Sequence, residues 1–469
     1  MGISIMPDPA YLMTMGDGTI KQINPSTGTR VWTVPGRGNR PLTEVDPDTR
    51  PVSDTDWTHA CAFCSARYME TPPEKVRVVR DETPTDNGKR TNSRAAGTQE
   101  RDGQAQPGRW RMLERVPAEN LFDTVAEFRV VPNLFEIVSY KYWHENYGYE
   151  LPPHIAAYKH AYLASDQGKR HIFAIQAAKM RQAGKTAEEI SRLEQERIIC
   201  EADAFFGGGH DVVVARRHWV DGAQTSAELA SSGTLTPDEH FQYIRLTLIA
   251  IKRLYESNRY IRYVAVFQNW LKPAGATFDH LHKQLVGIDE HGVNADQVLT
   301  RVRENPNFFN ECGVNYANYH NLLIAENDSA LAFAGFGHRY PTIEIYSKSA
   351  KSHPWEQSDK EIRDMSDLIH ALHAATGAEV PTNEEWHHAP VDVDVQMPWR
   401  INIKWRVSTV AGFEGDTKIY INTISPYMIQ KTVADRLHDL RAQGTIVDMR
   451  IGDECTGAPN PLRYNPALW

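Results

Sequence analysis

The segment His280-Leu281-His282-Lys283-Gln284 concentrates side chains that could do chemistry. In an extended strand, residues two apart share a face, so His280, His282 and Gln284 are expected to project together. Two imidazoles and an amide on one face suit metal ligation, phosphate binding or nucleophilic attack. The preceding loop, residues 269–277, adds amide, hydroxyl and backbone N–H donors of the kind that hold a phosphate.

Two strands and a helix are predicted to position this segment. Residues 211–219 and 263–267 have the apolar pattern of buried strands, and residues 280–288 form a third. Between the first two, Thr236-Pro237-Asp238-Glu239 has the pattern of a capping box with proline at the first helical position. Apolar residues then follow at helical spacing, which predicts a helix with one buried face.

The same order of elements recurs in the second half of the chain. Residues 332–347 are strand-like, Ser358-Asp359-Lys360-Glu361 forms another capping box, and residues 400–407 form a strand. Ser358 follows Thr236 by 122 residues, and Asn402 follows His280 by the same 122 residues. This shared offset predicts a tandem duplication of one α+β unit, with halves at residues 1–300 and 301–469.

Composition excludes several classes of protein. The 469 residues carry a net charge of -9, which argues against broad binding to nucleic acid. No apolar run reaches the roughly 18 residues that a membrane span needs. Five cysteines and an N-terminus without a secretory pattern indicate a cytoplasmic protein. Residues 80–109 and 150–205 are predicted insertions, the first polar and mobile, the second largely helical.

The pattern Asn269, Gly275, Thr277 and His280-x-His282-x-Gln284 resembles the galactose-1-phosphate uridylyltransferase branch of the histidine-triad superfamily. Further blocks of the same resemblance occur in the same order along the chain: Asn24-Pro25-x-Thr27-Gly28, Val34-Pro35-x-Arg37-x-x-Arg40-Pro41, Cys61-x-x-Cys64, Asn133, Trp386-His387-x-Ala389-Pro390 and Ala411-Gly412-Phe413-Glu414. The resemblance implies an α+β fold of two histidine-triad-like units, each an antiparallel sheet with helices packed on it.

The resemblance implies a ping-pong nucleotidyl transfer with His282 as the nucleophile. A neutral imidazole would attack the α-phosphorus of a nucleoside diphosphate sugar and expel a sugar 1-phosphate. Gln284 and Thr277 would donate hydrogen bonds to phosphate oxygens. The other residues that the family uses to bind substrate correspond to Arg37, Arg40, Asn133 and Asn269.

A structural zinc site is also implied. Taken alone, Cys61-x-x-Cys64 is equally typical of a redox pair. His218 and His280 occupy the family positions that complete a Cys2His2 set with these cysteines, and such a closed site would anchor the strand of His282.

The second half departs from the family pattern. Some relatives bind a second metal through a histidine at the position of His387 and an H-x-H on the last strand. Here that strand has Asn402-Ile403-Lys404, so no iron site is expected, and His387 is predicted either to pack in the interior or to line the pocket. Glu414 occupies the position at which the family binds hexose hydroxyl groups. Ser408 stands where the family has a lysine, so whether the hexose is galactose stays open.

Three functions therefore compete. The first is a hexose-1-phosphate uridylyltransferase that moves UMP between a UDP-sugar and a hexose 1-phosphate. The second is a phosphorylase or adenylyltransferase acting on an ADP-sugar or a dinucleoside polyphosphate. The third is a catalytically weak nucleotide-binding regulatory protein, against which His282 and Gln284 argue. The sequence leaves open whether the nucleotide carries uracil or adenine, and which hexose is used. A homodimer is expected only from the resemblance.

Overall fold

The structure, a computed structural model, describes residues 10–36, 49–81, 108–191 and 202–468. Arg37 and Arg40 lie outside these ranges, as do residues 82–107 of the first predicted insertion and 192–201 of the second. Within the described ranges, no helix is long and apolar enough to cross a membrane.

One antiparallel sheet of twelve strands forms the framework. Its strands are β4 (Val76–Arg80), β5 (Trp110–Glu114), β6 (Phe128–Pro132), β7 (His210–Ala215), β8 (Tyr263–Trp270), β9 (His282–Ile288), β10 (Leu323–Glu326), β11 (Ala330–Ala334), β12 (Thr342–Ser347), β13 (Thr382–His387), β14 (Arg400–Trp405) and β16 (Arg450–Ile451). The predicted loop at residues 269–277 begins later than expected, because Asn269 and Trp270 still belong to β8.

The strand order is symmetric about the centre of the sheet. It runs β16-β10-β11-β12-β14-β13-β8-β9-β7-β6-β4-β5, so six strands from each half of the chain meet at the β13–β8 pair. Asn383 pairs with Asn269 at this central junction. The antiparallel α+β fold with repeated units is therefore confirmed.

A smaller sheet combines the N-terminal strands with the second half. β1 (Leu12–Thr14), β2 (Ile20–Ile23) and β3 (Arg30–Thr33) are antiparallel, and β3 pairs in parallel with β15 (Ile419–Asn422). The predicted division at residues 300 and 301 falls inside the helix Val293–Glu304. The two halves therefore form repeated parts of one continuous sheet.

The described helices are Asp56–His59, Tyr140–Tyr147, Pro153–Ala164, Asp166–Gln182, Ala187–Ser191, Ala204–Gly207, Pro237–Ser257, Val293–Glu304, Tyr316–Tyr319, Asp359–Thr376, Gly412–Thr417 and Pro426–Ala442. The described part of the second insertion is helical, as the sequence predicts. Short 3-10 turns connect several of these elements, and one of them, Ser65–Glu70, directly follows Cys64.

The two long central helices confirm the predicted capping boxes. Thr236 and Glu239 exchange side-chain and backbone hydrogen bonds at the start of Pro237–Ser257, and Ser358 and Glu361 do the same at Asp359–Thr376. The two helices pack side by side, with His240 Nδ1 lying 2.8 Å from Ser366 Oγ. They cover one face of the sheet, and His282 lies on the opposite face, where the candidate site is formed.

Candidate active site and metal centre

His282 is the first residue of β9, and only 6% of it is exposed. Its Nδ1 lies 2.7 Å from the backbone carbonyl oxygen of His280. Because a carbonyl oxygen can only accept, Nδ1 carries the proton and Nε2 keeps the lone pair. Burial lowers the pKa of His282 to about 4, so the ring is neutral at pH 7. The structure therefore presents an oriented, neutral imidazole nitrogen.

Two amide side chains lie on the same face of the sheet as this imidazole. Gln284 lies two residues further along β9 and is half-buried. Asn133 follows β6, and its Oδ1 accepts the N–H of Phe135 at 2.8 Å, which fixes the amide. Both side chains lie beside His210, whose Nε2 is 3.1 Å from Gln284 Oε1 and 3.1 Å from Asn133 Nδ2.

Asn269 borders His282 from the central strand β8. Phe267 pairs with Gln284 across β8 and β9, and continuing this antiparallel register places Asn269 beside His282. Asn383 of β13 donates to Asn269 Oδ1 at 2.7 Å. Thr277 lies in the exposed loop that precedes His280. The predicted residues His282, Gln284, Asn133 and Asn269 are thus brought to one face of the sheet.

A cleft of about 600 Å³ opens along the centre of this face. Its wall includes Asn269 and Asn383 as well as Arg406, whose Nη1 donates to Asn383 Oδ1 at 2.6 Å. Trp386 and His387 also line it, together with the first residues of the Val293–Glu304 helix. The cleft is large enough for a small organic ligand.

Cys61, Cys64, His218 and His280 converge into one cluster. The two sulfur atoms are 3.8 Å apart, and the Nδ1 atoms of the two histidines lie 3.4–3.8 Å from the sulfurs. The Nε2 of His280 lies 2.7 Å from the carbonyl oxygen of Ala215, which accepts its proton and leaves Nδ1 free to coordinate. The cluster could hold a metal ion, and it lies directly before the strand of His282.

The corresponding face of the second half contains ion pairs and amides. Lys404 Nζ lies 2.5 Å from Glu385 Oε2, and Asn402 Nδ2 lies 3.3 Å from His387 Nε2. Across the ranges that the structure covers, the cluster at Cys61 is the one group of His, Cys, Asp and Glu side chains close enough to hold a metal. His387 lines the cleft, as predicted.

A buried charged network lies on the opposite face, under the helices. Lys283 Nζ contacts Glu384 Oε1 at 2.6 Å, and neither side chain is exposed. Burial would raise the pKa of Glu384, but Lys283 and His373 together hold it well below its usual range. Burial lowers the pKa of Lys283, against the opposing effect of Glu384. This pair connects β9 of the first half to β13 of the second.

Glu414 has a local structural role. Its Oε2 accepts the backbone N–H of Ala411 at 2.9 Å, just before the first turn of the Gly412–Thr417 helix. Phe413 beside it approaches the ring of Trp32 on β3, with ring centroids 6.5 Å apart. Its predicted role in binding a hexose stays a prediction.

A family model described as a domain of unknown function, DUF4921, matches residues 15–464. The chain belongs to this family. Its sequence is also 28% identical over 186 residues to an ADP-glucose phosphorylase of Arabidopsis thaliana, a match that covers 37% of this chain. The chain spans about half of that relative, since the match covers 52% of its length.

Two solved structures from Arabidopsis thaliana share the fold of this DUF4921 protein. One is an ADP-glucose phosphorylase with bound ADP-glucose, with 19% identity and a TM-score of 0.53. The other is a galt-like protein, with 18% identity and a TM-score of 0.51. Each match covers 88% of this chain and 97% of the other. The fold that the sequence resemblance implies is therefore confirmed.

Several residues of the site of this DUF4921 protein could not be identified from the sequence. His210 begins β7 in the segment Gly207-Gly208-Gly209-His210, where a lone histidine gives no functional signal. Arg406 and Asn383 are separated from the His282 motif by more than a hundred residues. Lys283 sits within the motif, but its alternation with His282 indicates only that it faces the other side of the strand.

Proposed function

We propose that this protein is a nucleotidyltransferase that acts on a nucleoside diphosphate sugar through a covalent intermediate on His282. Nε2 would attack the α-phosphorus, the bond from this phosphorus to the bridging oxygen would break, and the sugar 1-phosphate would leave. A phosphate oxygen of the acceptor would then attack the same phosphorus and break the P–N bond. The imidazole returns to its neutral state at the end of the cycle.

The observation that carries the proposal is the hydrogen bond from His282 Nδ1 to the carbonyl oxygen of His280. It directs the lone pair of Nε2 outward and stabilises the positive charge that the ring acquires during attack. Gln284 and Asn133 supply amide donors on the same face, where a non-bridging phosphate oxygen would accumulate charge.

We propose adenylyl transfer to inorganic phosphate, giving ADP, in preference to uridylyl transfer to a hexose 1-phosphate. The support comes from the ADP-glucose phosphorylases that resemble this chain in sequence and in fold. Uridylyl transfer stays the competing outcome of the experiment below.

The Cys61 cluster fits a structural zinc ion. Zinc with Zn–S of about 2.3 Å and Zn–N of about 2.0–2.1 Å in tetrahedral geometry needs ligand atoms about 3.3–3.8 Å apart. The sulfur–sulfur and sulfur–nitrogen distances in the cluster are 3.4–3.8 Å. Four protein ligands close the coordination sphere, so such an ion would fix the start of β9 and leave the chemistry to His282.

The test is incubation with ADP-glucose or UDP-glucose labelled at the α-phosphorus, without acceptor. We expect stoichiometric, acid-labile label on the protein from ADP-glucose, and its release as ADP when phosphate is added. His282→Ala should carry no label. His438→Ala, an exposed histidine of the Pro426–Ala442 helix, serves as the matched control and should be labelled normally.

Two results would overturn the assignment of His282. One is label that persists in His282→Ala. The other is label that is stable in acid, because the P–N bond of a nucleotidyl-histidine is acid-labile. Labelling from UDP-glucose alone, with release by hexose 1-phosphate, would instead establish the uridylyltransferase.

A further inference from the structure

A buried histidine connects Gln284 to a loop on the other side of strand β7. His210 is the first residue of β7, and only 1% of it is exposed. It lies on the same face of the sheet as Gln284, because His210 pairs with Val286 and Gln284 is two residues from Val286 on β9. The imidazole therefore fills the space behind the Gln284 amide and has no access to a substrate.

The hydrogen bonds of His210 determine its tautomer. The backbone N–H of Ile137 donates to Nδ1 at 3.2 Å, so Nδ1 holds the lone pair. Burial lowers the pKa of His210 to about 4, and the neutral ring carries its one proton on Nε2. That proton points to Gln284 Oε1, which lies 3.1 Å away.

The tautomer fixes the orientation of the Gln284 amide. A glutamine amide that accepts through Oε1 keeps its NH2 group turned away from His210, where it can donate to a ligand. With its lone pair on Nδ1, His210 cannot accept a hydrogen bond from Asn133 Nδ2, although Nε2 lies 3.1 Å from that nitrogen.

We propose that His210 is a positioning residue for nucleotidyl transfer: its Nε2–H holds Gln284 with the amide N–H groups aimed at the phosphate. This inference rests on the function proposed above and extends it to a residue that does not touch the substrate. The chain of contacts runs from the Ile137 N–H through His210 to Gln284. A glutamine held in this way needs no reorientation when charge develops on the phosphate oxygen.

The test compares single-turnover formation of the labelled enzyme, at saturating ADP-glucose, in variants of His210 and Gln284. His210→Leu removes the donor and should slow the step about tenfold to a hundredfold, as small misplacements of catalytic groups do. His210→Gln keeps an amide nitrogen near the position of Nε2 and should stay within about threefold of the unchanged protein. A loss as large in His210→Gln as in His210→Leu would overturn the proposal.

A double-mutant cycle separates positioning from general damage to the fold. If His210 acts through Gln284, His210→Leu should slow the Gln284→Ala protein little or not at all. Equal slowing in both backgrounds would show that His210 acts by another route and would overturn the proposal. His370→Leu is the matched control, because His370 is also 1% exposed but lies on the Asp359–Thr376 helix and donates from Nε2 to the carbonyl oxygen of Leu235. It should lower thermal stability without slowing the folded protein.

A crystal structure of His210→Leu gives a readout that does not depend on activity. A rotated or disordered Gln284 amide would support the proposal, and an unchanged Gln284 would overturn it. If the unchanged protein takes up no label from either nucleotide sugar, the proposed function fails, and this structure still decides whether His210 positions Gln284.

Discussion

At the repeat position of His282, the second half of the molecule carries Lys404. The imidazole of His282 is anchored by a carbonyl oxygen and offers a lone pair, whereas the ammonium of Lys404 is paired with Glu385 at 2.5 Å. A protonated amine has no lone pair, so Lys404 cannot serve as the nucleophile. Asn402 likewise stands at the repeat position of His280, a candidate metal ligand, and contacts His387.

The buried sides of the two halves have stayed much more alike. Thr236 and Ser358 form the same capping box, and the helices that they begin pack against each other over the sheet. Helix starts and packed faces stabilise the fold in both halves, whereas the proposed reaction needs a nucleophile in only one half. The fold and the proposed chemistry of this protein therefore have separable sequence requirements.

The largest effect is expected at the Cys61 cluster, the proposed zinc site, which has no counterpart in the second half among the described residues. Replacing Cys61 and Cys64 together by serine should abolish the binding of about one zinc ion per chain. Thermal stability should fall sharply, because the binding energy of a structural zinc is folding energy, of order 10 kcal/mol in small zinc domains.

Elemental analysis and calorimetry measure these two effects. His387→Ala in the second half is the control and should leave the zinc content unchanged. A Cys61/Cys64 double variant that retains full zinc would refute the ligand set, and stoichiometric iron in the unchanged protein would refute the reading of Asn402 and Lys404.

The junction between the halves should be the next most sensitive region. Glu384→Gln leaves Lys283 as an uncompensated charge in a fully buried site, and we expect a loss of about 3–5 kcal/mol in the free energy of unfolding. The neighbouring variant Glu385→Gln breaks the partly exposed pair with Lys404 and should cost only about 0–1 kcal/mol.

Urea denaturation of the two adjacent variants measures this difference directly. Adding Lys283→Met to Glu384→Gln should recover part of the loss, since it removes the unpaired charge. Equal destabilisation by Glu384→Gln and Glu385→Gln would mean that the buried pair does not tie the halves together.

Both halves should contribute to a loss of stability in acid. Burial lowers the pKa of His171 in the first half and of His370 in the second to about 4. An unfolded histidine titrates near 6.5, so below that pH the unfolded chain binds a proton that the folded chain does not. Stability is therefore complete above about pH 6.5 and falls toward pH 4, by at most about 1.4 kcal/mol per pH unit for each histidine.

Urea midpoints between pH 4 and 7.5 test this expectation. His171→Gln and His370→Gln, which do not titrate, should each flatten the pH dependence by a similar amount. A slope unchanged in either variant would show that the corresponding imidazole is not held neutral by the fold.

The smallest expected effect concerns Glu414, which the sequence associates with a sugar and the structure with a helix cap. If Glu414 binds hexose hydroxyls, Glu414→Ala should slow release of the nucleotide from loaded enzyme by a hexose 1-phosphate about tenfold to a hundredfold. Two charged hydrogen bonds of about 1.5–3 kcal/mol each are enough to produce such a loss.

Release by inorganic phosphate, which has no hydroxyl groups of a sugar, should be far less affected. Glu414→Gln is the control for the local contact, because the side-chain oxygen of glutamine can also accept the N–H of Ala411. Equal slowing with both acceptors in Glu414→Ala would show that Glu414 is purely structural.

Local patterns predicted much of the framework from the sequence. The capping boxes at Thr236 and Ser358 were predictable because caps depend on residues three positions apart. The strands and their repeat followed from apolar periodicity and the 122-residue offset. The predicted metal ligands Cys61, His218 and His280 converge as the resemblance implied.

Contacts between distant segments could be decided only by the tertiary structure. Nothing in the sequence pairs Lys283 with Glu384, places Ile137 behind His210, or joins strands β3 and β15. Each of these contacts depends on strand register and on which face of the sheet packs under the helices. A short sequence pattern contains information about neither. The residue types and their spacing thus determined which side chain could react, while packing across the whole sheet decided which neighbours orient it.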